Sequence, residues 1–148
     1  MKTLKQHIDE KLVINRKYEK PKIKVKDRKE LKELITKRSE KCKEQNTDYL
    51  DLSDIDISEV TELTDLSGYS VFGRVSNPNT RIINVTGWET KQINDMSFVF
   101  EYLNYLEEII GIDDWDVSNV INIHRMFYNC KKLKKYPKWY KDKVNELK

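Results

Sequence analysis

The chain has 148 residues, of which 38% are hydrophobic and 36% charged. That length suits one domain with a real core, and the lack of any long apolar run excludes a membrane-spanning helix. The formal net charge is only +3, yet by count residues 1–50 carry +7, residues 51–130 carry −10 and residues 131–148 carry +6. An acidic middle between basic ends either attracts nucleic acid at the termini or simply solvates the faces.

In the decapeptide from Met1 to Glu10, Leu4 and Ile8 are spaced for one face of a short helix, too short to hold alone in water. Residues 11–21 are polar and aperiodic and read as a linker closed by Pro21. One folded domain is expected over residues 22–148, with an N-terminal cap over 22–48, repeats over 49–136 and a C-terminal cap over 137–148. Lys22-Ile23-Lys24-Val25-Lys26 alternates as a half-buried strand does. Asp27-Arg28-Lys29-Glu30 is a capping box that opens a helix to about Lys43. Leu31, Leu34, Ile35, Arg38 and Cys42 mark its core stripe. Asn46-Thr47-Asp48 ends it, and Tyr49-Leu50-Asp51-Leu52 resumes as a strand.

A repeat follows. Trp88 and Trp115, Ile93 and Val120, Met96 and Ile123, Phe100 and Phe127, and Leu106 and Leu133 are each 27 positions apart. One such unit buries its apolar face only against its neighbours, so a fixed period in the twenties implies a stack. An earlier unit from Ile55 to Leu66 aligns at an offset of 33, setting Val60, Leu63 and Leu66 against Ile93, Met96 and Val99. Its extra residues fall in a loop over 67–80, placing Tyr69, Phe72 and Arg74 on a surface open to binding. Arg81–Val85, Leu106–Ile110 and Leu133–Tyr136 read as parallel strands. Short helices are expected over Asn94–Tyr102 and Asn122–Asn129. Pro137 stands where a helix can begin, and Trp139, Val144 and Leu147 outline a C-terminal capping helix. The fold class is therefore α/β: a solenoid of about three repeats, Trp88, Ile93, Met96, Phe100, Leu106, Trp115, Val120, Met126, Phe127 and Leu133 filling its core.

Trp115-Asp116-Val117-Ser118-Asn119-Val120, followed by Met126-Phe127-Tyr128-Asn129-Cys130 and Leu133, closely resembles the BspA-like leucine-rich repeat. The resemblance covers about residues 50–136; the second unit lacks the Ser-Asn pair and the Cys, and the first keeps little beyond Ile57-Ser58-Glu59-Val60. It implies protein–protein interaction, as in bacterial surface adhesion proteins, with Ser118 and Asn119 binding turn backbone. The decapeptide resembles the capsid-targeting peptide of internal head proteins in T-even-type phages, which begins Met-Lys-Thr and ends in an aliphatic-X-Glu triplet. Here Ile8-Asp9-Glu10 is that triplet, with cleavage between Glu10 and Lys11. This second resemblance implies a protein packaged in the virion head beside DNA and released into the host cytoplasm to inhibit a host protein. The alternative setting is the bacterial cell surface, although the N-terminus shows no secretory signal pattern.

Chemistry-bearing patterns are few. The two cysteines and two histidines lack zinc-ligand spacing, and Cys130 reads as a buried thiol. His124 occupies the repeat position of Ser97. No glycine-rich phosphate loop occurs. Asp113, Asp114 and Asp116 lack the ligand ladder of a calcium loop. No catalytic set, cofactor or metal site is expected. Glu107, Glu108, Asp113 and Asp114 join Tyr69, Phe72 and Arg74 as the expected interaction surface. The expected partner is a host protein, with nonspecific DNA contact by Lys131, Lys132, Lys134 and Lys135 as a further option.

Overall fold

Asp27 accepts from the Glu30 backbone N–H at 2.9 Å while the Glu30 carboxylate accepts from the Lys26 N–H at 2.9 Å. This reciprocal cap starts α1, Arg28–Glu44. The computed structural model describes residues 3–6, 22–73 and 79–148. Besides α1 it contains strands β1 (Ile23–Lys24), β2 (Tyr49–Asp51), β3 (Ile55–Asp56), β4 (Ile82–Asn84) and β5 (Glu108–Ile110), a 3-10 turn over Ile112–Asp114, and helix α2 (Tyr140–Glu146). Near the N-terminus, Thr3 and Gln6 bond each other's backbone N–H with their side chains around one helical turn over residues 4–6.

The fold is mixed α/β, with parallel strands in two sheets. One has the order β2-β4-β5 and the other pairs β1 with β3. Leu50, Ile83 and Ile109 align across the first sheet and point into the core. Each step along it is one coil of chain, and equivalent aromatic rings stack between coils. Trp88 lies 6.1 Å from Trp115, and Phe100 lies between Phe72 at 4.8 Å and Phe127 at 5.5 Å. Face-to-face aromatic pairs add about 0.5–1.5 kcal/mol each beyond their burial.

Register departs from the repeat of 27 where a glycine enters. Ile83 pairs with Ile109, 26 positions on, while Trp88 meets Trp115 at 27. Gly111 takes up the difference at φ +89°, with Thr86 so near that an added Cβ would lie 2.6 Å from its Cα. The offset of 33 holds through Leu63 but fails at Leu66, which is fully exposed. Phe72 instead fills the slot stacked on Phe100 and is only 1% exposed, so it belongs to the core and not to the expected binding surface. The extra residues thus enter before Val71, in a turn built on Asp65, whose carboxylate accepts from the Ser67 and Tyr69 N–H groups.

The expected helices over Asn94–Tyr102 and Asn122–Asn129 do not form. The two segments bond each other instead: Met96, Phe98, Phe100 and Tyr102 of the first donate to the carbonyls of Asn122, His124, Met126 and Tyr128 of the second, one coil on, at 2.8–3.0 Å. Left-handed residues at Phe98, Tyr102, Arg125 and Asn129 turn the chain into this ladder. Apolar spacing alone did not separate a helix from a stack of turns with the same inward residues. Leu133–Tyr136 likewise forms no strand. Lys134 donates to the Glu107 carbonyl at 3.0 Å, repeating the Arg81-to-Asp48 and Glu107-to-Arg81 bonds, and the chain then leaves the sheet toward Pro137, which has no N–H to give. Leu133 is half-buried against the core.

Both ends carry helices. Leu31, Ile35 and Ser39 of α1 are buried, and Trp139 and Val144 pack on the far end, whereas Leu147 is exposed. The Trp139 indole donates to the Ile112 carbonyl at 2.9 Å, as Trp88 does to Leu52.

Candidate interaction surface

Two coils present tyrosines to solvent on the edge formed by the turn ladder. Tyr102 is 53% exposed and Tyr128 48%, and their rings meet edge to face at 5.6 Å. The Arg125 guanidinium lies 4.1 Å from the Tyr128 ring centroid, forms an ion pair with Glu101 at 2.7 Å and donates to the Tyr102 hydroxyl at 3.3 Å. Tyr105 is also exposed, with the Lys132 ammonium 5.5 Å from its ring. The left-handed backbone at Tyr102 and Arg125 aims these side chains outward. Held by cation–π and hydrogen-bond contacts, they lose little further freedom when a partner arrives. The expected surface omitted this cluster. Its signal was tyrosine returning after 26 residues at positions where a solvated face would carry polar side chains.

The expected surface residues divide between places. Tyr69 is exposed, with Lys32 5.9 Å from its ring centroid. Glu107, Glu108 and Asp113 line a groove beside β5 whose other wall is Lys134–Pro137. Glu107 pairs with Lys134 at 3.7 Å, and Asp113 accepts from the Lys138 N–H at 2.9 Å. Asp114 is exposed on the adjoining 3-10 turn. Arg74, Ile8, Glu10 and Lys11 lie outside the described residues. Trp88, Ile93, Met96, Phe100, Leu106, Trp115, Val120, Met126 and Phe127 are buried in one cluster.

The motif polar residues support backbone. Ser118 bonds the Asp116 carboxylate through its N–H and hydroxyl, which holds that acid below the usual carboxylate range. The Asn119 amide donates to Lys91, and Gln92, 27 positions earlier, donates to Ile57, Val60 and Glu89. Both thiols donate to carbonyls, Cys42 to Tyr49 and Cys130 to Phe100. Burial pushes the Cys130 thiol up to about 11. His124 is exposed and meets Phe98 edge to face at 5.5 Å. Among the described residues, no cluster of three or more His, Cys, Asp or Glu is placed to hold a metal ion, and no helix is long and apolar enough to cross a membrane.

A mixed α/β protein with parallel strands in two sheets and a tyrosine–arginine cluster on one edge is thereby defined. Residues 35–148 match the family described as "Mycoplasma protein of unknown function, DUF285", and the chain belongs to that family. This loosely fits the BspA-like resemblance of residues 50–136. No curated protein and no solved structure gives a significant match.

Proposed function

We propose that the chain is a non-enzymatic protein–protein interaction module, built as a leucine-rich-repeat solenoid of about three repeats with a cap at each end. The supporting observation is the exposed Tyr102–Arg125–Tyr128 cluster on consecutive coils. Tyrosine and arginine dominate interface energetics because they bury large areas with few rotors while satisfying polar groups at the rim. The test compares partner capture by the native protein with capture by Tyr102→Ser/Tyr128→Ser. Losing two anchors removes at least about 2 kcal/mol of binding, a drop of roughly 30-fold in affinity. An unchanged partner and affinity, with folding intact, would refute this surface.

The decapeptide supports one setting for that role: packaging in a phage head, cleavage after Glu10, and release to inhibit a host protein. These residues precede the family match, which begins at residue 35, so this reading stands apart from the module itself. Mass spectrometry of purified virions is expected to find the chain beginning at Lys11. Absence from virions, or an intact Met1–Glu10, would refute the packaging. The BspA-like motif supports the other setting, adhesion at a bacterial surface, for which antibody labelling of intact cells is the test.

A further inference from the structure

The two edges of the β2-β4-β5 sheet are finished differently. At the β2 edge, the outward carbonyls of Tyr49 and Asp51 accept from Cys42 and Arg38 of α1 at 3.4 and 2.9 Å. That edge is closed by side chains. On β5, Glu108 donates to Arg81 and Ile110 accepts from Val85, so residues 108 and 110 face β4. The alternation of a parallel strand turns the Ile109 N–H and C=O to the outer edge. Among the described residues they have no partner there. Lys134 bonds Glu107 at the head of this edge, and the chain then leaves for Pro137, opening the groove beside Ile109. One rung of the ladder is left vacant.

We propose that this groove receives an extended peptide that adds in parallel to β5, with an aliphatic residue opposite Ile109 flanked by basic residues. The backbone requirement follows from the unpaired Ile109 groups, which only a strand can satisfy together. The aliphatic residue continues the inward row Leu50–Ile83–Ile109. The basic preference follows from charge. Glu108 points outward with no ion pair among the described residues, while Lys134 is neutralised by Glu107 at 3.7 Å, leaving Lys135 as the opposing charge on the far wall. The fold holds its own precedent in β1, where Ile23 and Lys24 add in parallel to Ile55 and Asp56, and Lys24 pairs with Glu59 at 2.9 Å.

This deepens the interaction-module reading by giving the module a second, peptide-binding surface. The test is an NMR titration of the full chain with the blocked peptide Lys-Ile-Lys-Val-Lys, followed by amide exchange. At millimolar peptide, exchange at Ile109 is expected to slow at least tenfold, with shifts confined to residues 107–113 and 134–137. The same peptide N-methylated on the backbone at each lysine is expected not to bind, since the N–H of the lysine that follows the aliphatic residue faces the Ile109 carbonyl. Glu108→Lys is expected to raise Kd by about threefold, the scale of an exposed charge pair. Absence of binding, protection only around Ile23 and Ile55, or equal binding by the N-methylated peptide would overturn the proposal. Tyr102→Ser/Tyr128→Ser is expected to bind the peptide normally, so failure of the groove and failure of the tyrosine surface are read separately.

Discussion

Phe100 lies in the middle of the ring stack, fully buried between Phe72 and Phe127. Phe100→Ala is therefore expected to cost about 3–5 kcal/mol in urea unfolding; a loss under about 1 kcal/mol would place the ring outside the cooperative core. Gly111 carries a different load. Its φ of +89° costs a side-chain-bearing residue about 1–3 kcal/mol, and an added Cβ also meets Thr86 backbone, so Gly111→Ala should lower stability by more than that strain alone. Cys130 adds a pH dependence. With its folded pKa raised to about 11, the native state keeps a proton that the unfolded thiol releases near 8.5. That contribution is complete below the unfolded value and is lost as pH rises toward the folded one. Alkylation at pH 8 should run roughly 200-fold slower than for a free thiol, following the thiolate fraction. At this scale the sequence spoke clearly for residues that repeat, such as Trp88 and Trp115. It put Phe72 on the binding surface and not in the core, because the inserted turn before Val71 shifted the frame.

The elements divide by how much their signals depend on neighbours. The capping box at Asp27 and Glu30 is local, and α1 begins there as its residues dictate. The turn ladder is not local. Phe98, Tyr102, Arg125 and Asn129 adopt left-handed conformations without being glycine, and the pairing of the two segments, in which Phe98 and Tyr102 donate to His124 and Tyr128, offsets that strain, so nothing within either segment announces it. Circular dichroism provides the check. Among the described residues, helical signal should come from the 17 residues of α1, the 7 of α2 and the turn over residues 4–6, and nearly twice that signal would mean the turn segments are helical after all. The edge closure by α1 is equally open to test. Arg38 pairs bidentately with Asp54 and also bonds the Asp51 carbonyl. As the pair is partly exposed, Arg38→Met should cost about 1–3 kcal/mol and raise exchange along β2.

Among the described residues between the two helices one arrangement recurs: apolar rings stacked inward, Asx turns at the corners, and variable side chains outward. The groove beside β5 and the tyrosine cluster both arise where that repetition meets solvent, one at the end of the sheet and one along the turn ladder. The acids at Glu107, Glu108 and Asp113 were legible as surface, but their groove follows from Lys134–Pro137 leaving the sheet, a tertiary event without a local signature. A photo-crosslinking residue at Tyr105, in cells that make the protein naturally, tests the central claim that the turn-ladder edge docks a protein partner. One discrete adduct is expected that disappears when Tyr102 and Tyr128 are replaced by serine, and no such adduct from the same probe at Glu44. No adduct at Tyr105, or one indifferent to both tyrosines, would contradict it.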